Sequence, residues 1–289
     1  MIRYSISEAE LVARINKQSK NWIARARERT QAYVEAGDFT DGSDFWGLIK
    51  QVYIDLQHEK CAYCETKLQG AALASKVHEV EHYRPKSSIK AWPNRKVEYW
   101  KDFNYPWATG KASSKGYYRL VYHPLNYAIA CTRCNSTLKS NYFPVRGRRD
   151  FDSESPTTMQ GESALLLYPV SSVDPDDPER IITFDGVLAI PVSKEGPAYE
   201  RAITNIEFFQ LNHQDLTSRR AECIRDLWIA LTMASSTPKH KKVAEKAVES
   251  LCSTQSQFSA CANAYRRLFQ SDRAKADAMA TLIIQALPA

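Results

Sequence analysis

The sequence predicts an α+β fold, in which a small strand-containing core lies between helical segments at both ends of the chain. Three observations support this prediction. Apolar residues recur with a helical period near the N-terminus and again after residue 199. Between residues 61 and 150 this period gives way to a mixture of aromatic, basic and proline residues. The same middle region contains two Cys-x-x-Cys pairs.

The composition is that of a soluble globular protein. The chain has 289 residues, of which 44% are hydrophobic and 25% charged, and this length is enough for a well-buried core. No segment approaches the roughly 18 apolar residues that a membrane span needs, and the first residues lack the apolar core of a secretory signal. We therefore expect a cytoplasmic protein that does not associate with membranes.

Residues 1–57 are predicted to form an N-terminal helical segment. A first helix is expected over 7–36, where Ser7 is a suitable N-cap with an acidic residue three positions on, and Gly37 ends the run. A second helix is expected over about 44–58 and leads directly into the first cysteine pair.

The region 58–150 is predicted to be the functional core. Cys61 and Cys64 form one Cys-x-x-Cys pair, and Cys131 and Cys134 form the other. Each pair presents two thiolates with the spacing that tetrahedral zinc requires, and four cysteines fill its coordination shell, so this zinc is expected to be structural. The 66 residues between the pairs far exceed the roughly 15 to 20 of a simple zinc ribbon, which predicts a functional insert. The alternative is two unrelated redox or structural pairs.

Positive charge is concentrated in this core. Residues 61–150 contain sixteen Lys or Arg against six Asp or Glu, a balance of +10, so the rest of the chain carries −4 of the net +6. A basic segment in an otherwise acidic chain indicates a polyanionic partner such as nucleic acid. The alternative is a solvated basic face.

The remaining chain is predicted to contain an extension and a second helical domain. Residues 151–198 are rich in proline, and an Asp-Gly turn between Ile181–Phe184 and Val187–Ile190 predicts a β-hairpin. Residues 199–289 keep a helical apolar period throughout, so their aromatic and cysteine side chains are expected to be core residues.

Within the insert, Glu81 is followed directly by His82 in a strand-like segment. A carboxylate can bind a hard divalent cation while an imidazole activates water. Taken alone the pair is weak evidence, because a single histidine is more often a core or surface residue. His78, Glu79 and His123 lie close by, and for these three both an additional role in the site and a purely structural role remain open.

The residues that follow complete a recognisable pattern. Asn126 precedes the second cysteine pair, Asn135 follows it directly, and Lys139 lies four positions further on. The order Glu-His, Asn, Cys-x-x-Cys-Asn-x-x-x-Lys, preceded by another Cys-x-x-Cys, resembles the ββα-metal motif of HNH endonucleases. The nine-residue step from Asn126 to Asn135 is the step that such motifs use.

The resemblance can be narrowed to a subgroup. The run Glu-His-Tyr-Arg-Pro-Lys at 81–86 and the later Tyr-Phe-Pro at 142–144 are similar to the HNH component of Septu-type and some retron-linked bacterial antiphage systems. Three downstream features are similar more loosely, namely Leu165–Pro169, Phe184–Gly186, and Leu211–Asn212 followed by Arg219 or Arg220.

The resemblance implies a metal-dependent HNH endonuclease that hydrolyses phosphodiester bonds, of DNA more than of RNA. His82 would be the general base, and Asn126 would orient either His82 or the loop between strand and helix. Glu81 and Asn135 would bind one Mg²⁺ or Mn²⁺. The side chains implied as candidates for nucleic-acid binding are Arg84, Lys86, Arg133 and Lys139.

This sequence departs from the family pattern at two ligand positions. Asn135 replaces the histidine for which the motif is named, and its amide oxygen is a hard ligand that suits Mg²⁺ rather than a catalytic zinc. Glu81 replaces the commoner aspartate, which leaves the geometry of the ligands open.

The subgroup resemblance also implies a partner. Its HNH components are encoded beside an SMC-like ATPase, so the C-terminal helices are expected to dock an SMC/ABC-type ATPase that controls cleavage. Two alternatives remain open. One is a module held together by zinc that binds nucleic acid or a partner without cutting, and the other is a nuclease directed at RNA.

Overall fold

The computed structural model describes residues 1–40, 44–68, 78–171, 173–236 and 238–287. These residues form two compact units. The central unit consists of Arg3–Tyr63 and Leu68–Pro178, and the C-terminal unit of Met1–Ile2, Cys64–Lys67 and Glu179–Ala289. The units follow contacts between residues, so they do not coincide with the four segments 1–57, 58–150, 151–198 and 199–289.

The α+β prediction is confirmed by the elements themselves, since both units combine helices with a two-stranded antiparallel sheet. The chain first forms α1 (Glu8–Gln18), α2 (Trp22–Ala36), α3 (Lys50–Leu56), β1 (His78–His82), β2 (Tyr127–Cys131) and a short helix of π type, α4 (Arg133–Lys139). It continues with α5 (Pro178–Ile181), β3 (Ile182–Asp185), β4 (Leu188–Pro191), α6 (Gly196–Phe208), α7 (Gln214–Ser236), α8 (Lys241–Cys252), α9 (Ser259–Ser271) and α10 (Arg273–Ala286).

The single helix predicted over 7–36 is wrong, because the segment forms two helices, α1 and α2. The break lies at Asn21, whose φ of 60° is left-handed and cannot be part of a right-handed helix. Both predicted ends are confirmed. The Ser7 side chain accepts a hydrogen bond from the Glu10 amide at 3.2 Å, and Gly37 ends α2 with a φ of 72°.

The second predicted helix has the expected position, but its first part, Phe45–Ile49, is a 3-10 turn that continues into α3. This turn packs against α2, where the Trp22 and Phe45 rings stack with centroids 5.1 Å apart. The Tyr53 hydroxyl of α3 donates to the Pro124 carbonyl at 2.7 Å, just before β2. The N-terminal helices therefore form the support on which β2 rests.

Strands β1 and β2 are antiparallel, with Glu81 opposite Ala128 and His82 opposite Tyr127. The expected strand character of the Glu-His segment is thereby confirmed. Helix α4 begins two residues after β2 ends, so the chain order is strand, long insert, strand, short helix.

The predicted β-hairpin in the C-terminal unit is confirmed, with both strands shifted by one residue. Strands β3 and β4 pair in the register Asp185 to Leu188, and Gly186 in the turn has a φ of 56°. Helices α6 to α10 then confirm the helical character predicted for 199–289. Among the described residues, no helix has the length and apolar composition needed to cross a membrane.

Candidate active site and metal centre

The two Cys-x-x-Cys pairs lie together. The Sγ atoms of Cys61, Cys64, Cys131 and Cys134 are all within 4.8 Å of one another. Tetrahedral zinc with bonds of about 2.3 Å requires sulfurs about 3.8 Å apart, so a small contraction brings this set to the required geometry. All but Cys131 are buried. The four thiols fit a closed structural site for a metal such as zinc.

The Gln57 side chain brings the first cysteine pair to β2. Its Nε2 donates to the Ile129 carbonyl at 2.8 Å, and its Oε1 accepts from the Ile129 amide at 2.7 Å. The Ala62 amide, between the cysteines, donates to the same carbonyl at 2.9 Å. In the second pair, the Cys134 amide lies 3.5 Å from the Cys131 sulfur. No pattern in the sequence indicates this role of Gln57, because a glutamine near the end of a helix is usually a surface residue.

The His82 ring is held at one nitrogen. Its Nε2 lies 3.2 Å from the Val121 carbonyl, which can only accept, so Nε2 carries the proton and Nδ1 has the free lone pair of the neutral ring. The Tyr127 hydroxyl donates to the same carbonyl at 2.5 Å. The ring also packs edge to face against Trp46 and Tyr127, with centroids 4.7 and 5.0 Å away. This combination fixes the ring orientation.

The surroundings of His82 favour its neutral form. Burial is the main cause that lowers the pKa of His82 well below its usual value, and the cations Lys86 and Lys139 lower it further, although the Val121 carbonyl opposes them. Lys86 is only half-buried, and its ammonium lies 4.6 Å from the centre of the Trp46 ring. The imidazole is therefore uncharged at neutral pH, as a general base must be.

Glu81 is buried and forms an ion pair. Its Oε1 lies 3.0 Å from the Lys139 Nζ, which also donates to the His82 carbonyl at 3.4 Å. Burial raises the pKa of Glu81 to about 7, while the Lys139 and Lys86 cations act in the opposite direction. A second cation at this carboxylate would oppose the effect of burial in the same way.

Glu79 is the second carboxylate that faces α4. Its Oε2 accepts from the Asn135 Nδ2 at 2.7 Å and from the Ser136 hydroxyl at 2.6 Å. Asn135 and Lys139 are one helical turn apart, so the strand and the helix meet in two pairs, Glu79 with Asn135 and Glu81 with Lys139. Two carboxylates and an amide oxygen are hard donors of the kind that Mg²⁺ prefers.

Asn126 joins two backbone segments. Its Oδ1 accepts from the Arg84 amide at 2.8 Å, and its Nδ2 donates to the carbonyls of Arg84 at 3.1 Å and Leu120 at 3.2 Å. Arg84 lies two residues after His82, and Leu120 lies directly before Val121. Asn126 therefore holds the loop after β1 beside the carbonyl that binds the His82 ring.

The four basic candidates divide into two groups. Lys139 and Arg84 are buried, and Arg84 pairs through Nε with the Glu162 carboxylate at 2.8 Å, so both charges are used inside the fold. Lys86 and Arg133 are partly exposed and accessible from solvent. These two are the candidates that a nucleic acid can reach in this conformation.

His123 lies apart from the two strand–helix pairs. Its Nδ1 accepts from the Leu125 amide at 3.1 Å, and its Nε2 is 3.9 Å from the Glu8 carboxylate. Burial, with a contribution from the Arg84 cation, lowers the pKa of His123 to about 4. The side chain of His78, whose role was left open, is outside the described part of the structure.

Over the ranges that the structure describes, the four cysteines are the only group of three or more His, Cys, Asp or Glu side chains placed closely enough to hold a metal ion. A divalent ion at α4 would need the asparagine as well as the carboxylates.

The chain is similar to the Septu protein PtuB of Bacillus mycoides (strain KBAB4), with 30% identity over 179 residues. The aligned region covers 62% of this chain and 52% of that protein, so the chain spans about half the length of the curated relative it matches. No family model matches the chain, and no solved structure matches it significantly. The similarity relates the aligned part of this chain to a Septu protein.

Proposed function

We propose that this protein is a metal-dependent HNH-type endonuclease that hydrolyses phosphodiester bonds of DNA. The observation that carries the proposal is the fixed, uncharged imidazole of His82, which directly follows the buried carboxylate of Glu81 in a strand–strand–helix arrangement. The basic character of the insert favours a polyanionic substrate.

In the proposed reaction, His82 removes a proton from the attacking water through Nδ1. The Val121 carbonyl keeps the proton on Nε2 and stabilises the imidazolium that forms, because it accepts from a positively charged donor more strongly than from a neutral one. Lys86, half-buried and near the same imidazole, supplies positive charge for the scissile phosphate.

A divalent ion, Mg²⁺ or Mn²⁺, would be held by Glu81 and Asn135, and Glu79 offers a further oxygen on the same side of the strand. When bound, such an ion offsets negative charge on the phosphate and on the leaving oxygen. Lys139 favours the ionised form of Glu81 against the effect of burial, and an ionised carboxylate is the form that can act as a ligand.

Replacement of the proposed base tests this function directly. We expect His82→Ala to lower the rate of plasmid cleavage with Mg²⁺ or Mn²⁺ by roughly 10² to 10⁴, the usual contribution of a general base. His213→Ala, at an exposed histidine of the C-terminal unit, is the matched control and should cleave like the wild type. Cleavage of DNA by the His82→Ala protein at the control rate would refute the proposal.

We also propose a role in antiphage defence together with an SMC/ABC-type ATPase. The support is the similarity to the Septu protein PtuB, and it extends over only part of each chain. Purification from the native operon should give a stable complex with an ATPase of this class, and the operon should protect bacteria from phage in a plaque assay. A chain that remains monomeric in the presence of that ATPase would contradict the partnership.

A binding module without cleavage is the second candidate, and the Lys139–Glu81 pair favours it, because a buried carboxylate that already has a cation needs no metal. Nucleic-acid binding that survives His82→Ala, combined with no cleavage by the wild type under any metal, would select this candidate. The third alternative is a nuclease directed at RNA. Cleavage of RNA but not of DNA in parallel assays would select it.

A further inference from the structure

An open groove with a volume of about 770 Å³ lies in the insert between β1 and β2. Residues from 88–96 and 112–114 form its walls together with Tyr142. Among the residues that the structure describes, three cations line it, Lys90, Arg95 and Lys96, and no carboxylate does. The cations lie within a longer basic stretch, since residues 84–149 contain fourteen Lys or Arg against two Asp or Glu.

Backbone pairing fixes the shape of the groove. Ile89 and Ser113, one from each wall, exchange both backbone hydrogen bonds at 2.8 Å. The side-chain Nδ2 of Asn94 donates to the Tyr142 hydroxyl at 3.0 Å and so holds a third part of the lining in place. A groove held by such contacts is present before a ligand binds, which reduces the entropy lost on binding.

All three cations are exposed, and neighbouring residues direct the side chains of Lys90 and Arg95. The Lys90 ammonium donates to the Ser140 hydroxyl at 3.1 Å and lies 5.4 Å from the centre of the Tyr142 ring. The Arg95 guanidinium donates to the Asn104 side chain at 3.2 Å. A guanidinium and two ammonium groups are the donors that proteins use for phosphate oxygens.

The groove begins beside the candidate active site. Ser88, in one wall, follows two residues after Lys86, which contacts the Trp46 ring that packs on His82. Ser140, which holds Lys90, follows directly after Lys139, whose ammonium reaches the His82 carbonyl. Since successive Cα atoms are about 3.8 Å apart, the wall that contains Ser88 starts within about 8 Å of Lys86, and Tyr142 of the lining lies within about 12 Å of Lys139.

We infer that this groove binds the sugar–phosphate backbone of the nucleic-acid strand that passes His82, through Lys90, Arg95 and Lys96. The inference rests on the proposed function and adds to it a location for the substrate. Contacts to phosphates position a strand without reading its bases, so this groove contributes affinity and not sequence preference.

The test compares two triple variants of equal charge change in the full-length His82→Ala protein. One is Lys90→Gln/Arg95→Gln/Lys96→Gln, in the groove. The other is Lys241→Gln/Lys242→Gln/Lys246→Gln, at exposed lysines of α8. The probe is a fluorescein-labelled oligodeoxynucleotide, measured by fluorescence anisotropy as a single strand and as a duplex over a series of salt concentrations.

We expect the groove variant to bind at least tenfold more weakly than the control. The slope of log K against log salt should become shallower by roughly 2 to 3, because each lost phosphate contact contributes about 0.9 for a duplex and about 0.7 for a single strand. Equal affinities and equal slopes for the two variants would overturn the inference.

The outcome is independent of catalysis, because binding is measured in a protein that lacks His82. If the wild type does not cleave but the groove variant still loses binding, the nuclease assignment fails and the groove is retained. Thermal melting checks that both variants fold. The single substitution Lys96→Glu, at an exposed side chain, repeats the test should the triple variant fail to fold.

Discussion

The oxygen and the nitrogen of the Asn126 carboxamide both make hydrogen bonds, and these join the backbone after His82 to the backbone before Val121. Its oxygen and nitrogen bind both backbone groups of Arg84 and the Leu120 carbonyl, all of them buried. It thereby acts as a positioning residue, because the next carbonyl in the chain, that of Val121, is the one that orients His82.

Truncation of this side chain should therefore destabilise the protein. Asn126→Ala leaves the buried amide and carbonyl of Arg84 without a partner, whereas the Leu120 carbonyl still accepts from the His123 amide at 3.1 Å. At roughly 1 kcal/mol or more for each lost partner, we expect a loss of about 2 kcal/mol in the free energy of unfolding. Asn141→Ala is the matched control, because Asn141 is only partly buried and its side chain bonds the hydroxyls of Ser87 and Ser88. Denaturant titration of both variants is the measurement, and equal losses would contradict this role.

At the level of single residues, the sequence could predict the identity of the candidate groups but not their pairing. The Glu-His dipeptide and the spacing of Asn126 and Asn135 are visible as a pattern. The contact of Asn135 with Glu79, and of Lys139 with Glu81, depends on how α4 lies on β1. A helix of π type changes which side chains face the strand, and no local signal in the sequence announces it.

Among the elements, the β3–β4 hairpin is held by Asn212 and Arg220. In the sequence, these two residues stand out only because their segment resembles that of a known family. The Asn212 carboxamide exchanges hydrogen bonds with both backbone groups of Ala189 on β4, at 2.7 and 3.0 Å. Arg220 on α7 is buried, and its Nη1 donates to the carbonyls of Val187 and Leu211 at 3.0 and 2.7 Å. These residues connect the hairpin to α7, so their role is structural.

A lysine cannot reproduce the Arg220 contacts, because its ammonium is one bond closer to Cα than Nη1, the atom that makes both hydrogen bonds. It also lacks the planar guanidinium that lies 4.9 Å from the centre of the Phe184 ring. We expect Arg220→Lys to lower the free energy of unfolding by about 2 kcal/mol. Arg219→Lys is the neighbouring control, since Arg219 makes a partly exposed bond to Gln257 and should change stability by less than about 0.5 kcal/mol. Indistinguishable melting temperatures for the two variants would count against this function of Arg220.

Element boundaries were predictable where a local signal exists. The Ser7 cap, the Gly37 end and the Asp-Gly turn are each chemical signals in the sequence, and all three were found. The break at Asn21 was missed because apolar periodicity continues across it, and only the backbone conformation of that residue separates the two helices.

On the scale of the whole molecule, the cysteine site joins two Cys-x-x-Cys pairs that are separated by 66 residues of chain. A link of this kind removes much of the freedom of the unfolded chain, and structural zinc contributes on the order of 10 kcal/mol to folding in small domains. The sequence predicted the site because the ligands occur as pairs, and it could not predict the Gln57 contact that brings the pairs together.

We expect one tightly bound zinc per chain, and its removal by a strong chelator should unfold the central unit. Metal analysis by mass spectrometry and thermal melting by circular dichroism measure the two effects. Cys131→Ser should lose the zinc, whereas Cys223→Ser, at a buried cysteine outside the site, should keep it. An unchanged melting temperature after complete chelation would show that the site does not support the fold.

The β1–β2 pairing is secured at both ends of β2, by Asn126 immediately before the strand and by Cys131 in the metal site as its last residue. A slip by one residue would move every side chain of a strand to the opposite face, and these two anchors prevent it. The insert between His82 and Asn126 has 43 residues. Its outgoing and returning segments meet where the Tyr117 amide donates to the Pro85 carbonyl at 2.8 Å. The loop between Pro85 and Tyr117 is consequently the exchangeable part of the insert: we expect a loop of different length or charge to be accepted there while Val121 keeps the imidazole in place.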